Sequence, residues 1–182
     1  MPPENRTAPD TNVIVDRTHH TIVLTREFAV SRELVFEAWT QPEHVACWWD
    51  ASGARLESCE IDLRPGGAFK FVHQGRPEIP PLAGIYRKIA PPGELVFEAM
   101  GAIGTVILED VDGTTRMTVS IACPSAAHLD QLLQMGVAAG TSQTLDQLVA
   151  YVGGPRRAVL VQEPASAPVD GETLTGALRR IQ

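Results

Sequence analysis

ELVFEAMGAIGTVILEDVDGTTRMTVSIAC, residues 94–123, reads as three strands separated by two turns. Met117, Val119 and Ile121 alternate with Arg116, Thr118 and Ser120, and Phe97 stands beside Glu98. That period of two sends alternate side chains to opposite faces of a sheet. Asp112-Gly113 is a short-hairpin dipeptide, and the interval 101–104, glycine at both ends, separates the run 94–100 from the run 105–110. Strands joined by such short turns can only be antiparallel neighbours.

The same grammar extends outward. Upstream lie strand-like runs at 55–63, 68–73 and 82–89, punctuated by Pro65-Gly66-Gly67 and Pro91-Pro92-Gly93. Phe69 and Phe71 flank an outward Lys70, whereas for Tyr86 the pleat is ambiguous because Ile85 and Ile89 fall on the opposite face. Residues 21–28 read as a first strand, and Val13-Ile14-Val15 allows an extra edge strand before it. Two short helices follow: Ser31 as N-cap with Leu34, Val35 and Ala38 at helical spacing, then Pro42-Glu43 opening a turn with Val45, Ala46 and Trp48. Downstream, Ser125 caps a helix predicted to run to Val152, with Leu129, Leu133, Val137, Leu145, Leu148 and Val152 near one stripe, until Gly153-Gly154-Pro155 stops it. The fold class is therefore α+β: a curved antiparallel sheet wrapped around a long C-terminal helix, with two short helices after the first strand.

Such a pairing tends to leave a cavity. A helix of about 28 residues spans roughly 42 Å and cannot cover a wide, twisted sheet face, so space remains wherever side chains do not fill it. Gly136, Ala139 and Gly140 fall in the middle of that helix. Either they permit close packing on the sheet or they leave room for a ligand; the sequence leaves both open. Candidate ligand-lining residues are Trp39, Trp48 and Trp49 from the short helices, Phe69, Phe71, Tyr86, Phe97, Met117 and Val119 from the strands, and Leu132, Met135, Gly136, Ala139 and Gly140 from the long helix. Adjacent Trp48 and Trp49 cannot point the same way, which predicts one packed inward and the other at the cavity mouth or a subunit contact.

Composition narrows the function classes. A hydrophobic share of 44% against 20% charged residues suits a globular core. The formal charge of −7 repels a phosphate backbone, and Arg156-Arg157 and Arg179-Arg180 are too short to make a basic patch, so no nucleic-acid partner is expected. Cys47, Cys59 and Cys123 show neither disulfide nor zinc spacing, and His19, His20, His44, His73 and His128 lack metal-ligand spacing, so no metal or cofactor is expected. No apolar leader or membrane-spanning run is visible, which makes the cytoplasm the simplest location. Asp62, Arg64, His73 and Tyr86 are weak catalytic candidates, with an Asp62–Arg64 ion pair beside the Gly66-Gly67 turn as the leading reading of the first two.

The motifs Val35-Phe36-Glu37-Ala38-Trp39-Thr40 with Pro42-Glu43, Trp48-Trp49, Asp62-Leu63-Arg64-Pro65-Gly66-Gly67, Gly84-Ile85-Tyr86, Leu95-Val96-Phe97, and Gly136 with Ala138-Ala139-Gly140 resemble, in combined order, the branch of the START and Bet v 1-like (SRPBCC) superfamily named after the activator of the Hsp90 ATPase. The likeness covers about 20–152, with 1–19 as an N-terminal arm and 153–182 as a tail in which a short helix fits 171–180. It implies a helix-grip fold around a hydrophobic cavity. Relatives commonly carry Trp after the helix glycine where this chain has Thr141, a change that enlarges or reshapes the cavity. The first functional expectation is binding of an apolar, aromatic or lipid-like small molecule without covalent chemistry. The alternatives are a polyketide cyclase-like enzyme and a stress-related co-chaperone or interaction module; a homodimer is also expected, and no chaperone partner follows from the family's name.

Overall fold

Eight strands form one antiparallel sheet in the computed structural model, which describes residues 10–154. In chain order they are β1 (Asn12–Asp16), β2 (Thr21–Phe28), β3 (Leu56–Ile61), β4 (Ala68–His73), β5 (Leu82–Ala90), β6 (Glu94–Ala99), β7 (Ala102–Val111) and β8 (Thr114–Ala122). The sheet order is β1-β2-β8-β7-β6-β5-β4-β3, so every strand from β3 to β8 lies beside its sequence neighbour and β2 closes on β8. The run 12–16 belongs to this sheet as an edge strand paired with β2, which moves it out of the arm expected over 1–19. The helix fitted to 171–180 lies outside the described residues.

Turn chemistry sets the hairpins. Asp112 and Gly113 both have positive φ, 53° and 82°, the conformation a two-residue turn between twisted strands requires. The β6–β7 turn uses Met100 and Gly101 in the same way, with φ of 54° and 73°. Gly104, expected in that turn, instead lies within β7 opposite Phe97. A Cβ there would come 2.4 Å from the Phe97 ring, and one on Gly84 would come 2.4 Å from the Phe69 ring, so in each pair an aromatic side chain lies over a glycine backbone.

A bulge in β5 between Tyr86 and Lys88 resolves the ambiguous pleat. The extra residue shifts the phase, so Tyr86 is buried, Ile89 packs against the core, and Ile85 is exposed. A second irregularity, between Leu56 and Ser58, breaks the β3 register. Bulges bend the strands that carry them and help the sheet curve around the helices.

Four helices complete the fold: α1 (Arg32–Thr40), α2 (Pro42–Trp48), α3 (Ala126–Gln134) and α4 (Val137–Gly153). Ser125 caps α3 by accepting from the His128 amide at 3.2 Å. The single helix expected from Ser125 to Val152 is broken. Gly136 adopts φ +77°, ending α3 and serving as N-cap of α4, because a left-handed residue cannot continue a right-handed helix and glycine enters that region without a Cβ penalty. Leu145, Leu148 and Val152 of α4 are buried in a core with Ile22 and Leu24 of β2, Val35 and Ala38 of α1, and Leu108 and Met117 of the central strands. Arg26 of β2 reaches inward to Asp146 of α4 at 2.9 Å, tying helix to sheet. Among the described residues no helix is long and apolar enough to cross a membrane.

Candidate functional site

The inner face of the sheet is not wholly covered. A cavity of about 620 Å³ lies between β6, β7 and β8 on one side and α3 and α4 on the other, room for roughly twenty waters at about 30 Å³ each. Its floor is set by strand alternation: Phe97 and Ala99, Ala102 and Gly104, Val119 and Ile121. Its helical side carries Leu132, Val137, Gly140, Thr141 and Leu145.

The helix glycines face open space. A Cβ on Gly136 or Gly140 would meet nothing within 4 Å, so neither glycine is there to let the helix approach the sheet. Thr141 also lines the cavity. Thr144 fixes the lip of α4, its hydroxyl donating to the Gly140 carbonyl at 2.9 Å and the Trp49 carbonyl at 3.2 Å.

The two adjacent tryptophans part as expected. Trp48 is 1% exposed and its indole donates to the Ala38 carbonyl at 2.8 Å. Trp49 is half-buried and lines the cavity with Trp39, at ring-centroid distances of 5.9 Å from Trp39 and 4.9 Å from Phe71. Among the other candidates, Phe97, Val119, Leu132, Met135, Gly136, Gly140 and His73 reach the cavity.

Trp48, Phe69, Phe71, Tyr86, Met117 and Ala139 do not line it. Phe69 stacks with Phe71 at 5.3 Å and with Tyr86 at 5.1 Å, so these rings fill the space beneath β4 and β5 themselves. Met117 is completely buried, and Ala139 faces outward on α4. Asp62 and Arg64 form an exposed ion pair at 2.9 Å on the β3–β4 connection, away from the cavity. Just beyond them, a Cβ on Gly67 would come 2.0 Å from the Asp62 carbonyl oxygen, so the turn packs backbone against backbone.

What the sequence reading missed is a polar cluster on the cavity wall. His73 continues the inward series Phe69, Phe71, His73 at the end of β4. Its Nδ1 lies 2.8 Å from Oδ2 of Asp50, which follows the tryptophan pair. Oδ1 of Asp50 accepts from the Ser52 amide at 2.8 Å and from the Ser52 hydroxyl at 2.6 Å. Arg76, on the β4–β5 loop, approaches Asp50 at 3.4 Å and donates to the Ser52 hydroxyl oxygen at 2.6 Å. All four residues line the cavity.

Burial by itself would raise the Asp50 carboxyl; hydrogen bonds from the Ser52 hydroxyl, His73 and the Ser52 amide, with the Arg76 charge, outweigh it and take the group down to about 2. Burial drives the Tyr86 phenol well above its ordinary range, so it is protonated at neutral pH and offers no phenolate base. Burial, then the Glu43 charge, pushes the Cys59 thiol up to about 11, which leaves it a poor nucleophile. Among the described residues no group of three or more His, Cys, Asp or Glu is placed to hold a metal ion.

No curated protein matches the sequence. Several solved structures share its architecture. A crystal structure of a Nitrosomonas europaea protein is 25% identical, covering 73% of this chain and 94% of its own, with a TM-score of 0.66. One from Mycobacterium smegmatis is 25% identical, covering 79% and 97%, with a TM-score of 0.68. The solution structure of an AHSA1-like protein from Aeromonas hydrophila, at 21% identity, covers 79% and 99% with a TM-score of 0.60 and speaks to the fold. The family model described as Activator of Hsp90 ATPase homolog 1-like protein matches residues 29–153, which run from the turn before α1 to the end of α4 and take in both walls of the cavity. The chain thus belongs to the Activator of Hsp90 ATPase homolog 1-like family, within the Bet v 1-like superfamily.

Proposed function

We propose that this domain binds a small, mainly apolar molecule between the sheet and α4. The observation that carries the reading is the open cavity of about 620 Å³ at a place where the helix presents Gly140 and Thr141 instead of larger side chains. That volume lies within the roughly 300–1,000 Å³ of small-molecule sites, and an apolar body with a few convergent polar groups is their usual composition. Here the body is Phe97, Val119, Ile121, Leu132 and Leu145, and the polar groups are Ser52, His73 and Arg76, held in place by Asp50.

Trp39 and Trp49 border the space, so occupancy should alter intrinsic fluorescence. Titration with a broad apolar library, alongside native mass spectrometry of freshly purified protein, tests the reading. A saturable change lost in Trp49→Phe, or a retained small molecule, supports it. No response and no retained mass across the library refutes it.

One observation favours a second reading, a cyclase-like reaction on the bound molecule: the Asp50–His73 pair is the arrangement of a carboxylate-oriented base. Product formation abolished by His73→Gln would support it, and unchanged substrate after long incubation would refute it. The co-chaperone reading takes no support from these residues.

A further inference from the structure

The polar cluster on the cavity wall has a definite hydrogen-bond polarity. Asp50 is 2% exposed and both its oxygens are engaged, Oδ1 by Ser52 and Arg76 and Oδ2 by His73, so it offers nothing to a ligand. An ionised carboxylate can only accept, so His73 must donate through Nδ1. The other ring nitrogen, Nε2, has no partner among the described residues. The permanently charged guanidinium of Arg76 joins the same Asp50 carboxylate, with one nitrogen committed to Ser52 and Asp50. On β3, the residue opposite His73 is Leu56, which adds no charge. The cavity therefore presents a free imidazole nitrogen and a fixed cation to an apolar chamber.

We infer that the ligand is a hydrophobic carboxylic acid, bound as its carboxylate against His73 Nε2 and the Arg76 guanidinium. Asp50 orients the His73 ring through Nδ1–H, and the apolar body of the acid extends toward Phe97, Val119 and Leu132. An alcohol of the same length brings no charge to pair with Arg76, and an amine would bring a second cation to the site. The inference rests on the ligand-binding reading and specifies its ligand class.

Dodecanoic acid, dodecanol and dodecylamine, titrated against the full chain by tryptophan fluorescence, separate the two ideas. The acid is expected to bind at least tenfold more tightly than the alcohol, with the amine weakest. His73→Gln and Arg76→Gln should each weaken dodecanoic acid at least fivefold while leaving dodecanol within twofold, the alcohol serving as the check that the cavity is intact. Acid and alcohol binding equally, an acid preference that survives both substitutions, or a preference for the amine would overturn the carboxylic-acid assignment and leave the cavity reading standing. Failure of all three probes to bind would overturn both.

Discussion

Replacing Gly140 with leucine should stabilise the fold and weaken ligand binding together. Gly140 lies in the first turn of α4 with ordinary helical φ, and a Cβ built there meets nothing within 4 Å. Helix propensity alone then favours leucine by about 0.7 kcal/mol. At roughly 2–4 °C per kcal/mol for a domain of this size, the melting temperature should rise by about 1.5–3 °C. Had the helix been packed against the sheet at this point, the added carbons would have cost about 1–3 kcal/mol and lowered it instead. The same carbons occupy the chamber: excluding even two ligand methylenes, at about 0.8 kcal/mol each, weakens binding more than tenfold. Thermal melts followed by circular dichroism, with dodecanol titrations on the same samples, read both quantities. A fall in melting temperature, or unchanged affinity, would refute the claim that this glycine borders a usable void. Gly136 is the control: it also meets open space, but its φ of +77° makes Gly136→Ala destabilising by about 1 kcal/mol.

Three further outcomes follow from the packing and the charges. Gly104→Ala drives a Cβ to within 2.4 Å of the Phe97 ring and should cost about 2 kcal/mol; chemical denaturation should show a smaller loss than the sum of the singles once Phe97→Ala is added. Asp146→Ala strips the carboxylate from Arg26, whose side chain is 7% exposed and whose Nε already lacks a partner, and should cost about 2 kcal/mol, discounted from a fully buried pair because Asp146 is half exposed; Arg26→Met should be nearly neutral. For Asp50, the folded value of about 2 lies below the ordinary 3.8, so its contribution is fully present above about pH 4 and disappears as pH falls through about 2. Urea unfolding from pH 5 to pH 2 should therefore lose about 1–2 kcal/mol more in the native protein than in Asp50→Asn, allowing for solvent reaching the cluster through the cavity; parallel losses in the two proteins would refute the assignment.

Most of the sheet was legible because its signals are local. Period two placed β2, β4 and β8, and Asp112-Gly113 marked its hairpin directly. The misreadings share a physical cause: a glycine serves several purposes that look alike in a sequence. Gly104 reads as part of a turn, yet it sits mid-strand with the Phe97 ring over it, and the turn falls instead at Met100-Gly101. Gly136 reads as a residue in the middle of one long helix, yet its left-handed conformation ends one helix and begins the next. The β5 bulge hid the phase of Tyr86, since alternation counts residues and a bulge adds one.

The site was legible only to the depth that alternation reaches. Period two shows which side chains turn inward, but not whether an inward side chain meets another or meets a void. Phe69, Phe71 and Met117 point inward as firmly as Phe97 and Val119, and are excluded from the cavity only because neighbours cover them. The Asp50-Ala51-Ser52 turn carries a local signal, an aspartate that binds the amide two residues on. Arg76 has no such signal, because it joins Asp50 from a loop 26 positions later in the chain. A polar cluster assembled from a helix end, a strand end and a loop is a product of the fold's closure. Its chemistry is written in single residues whose meaning depends on distances that no spacing rule contains.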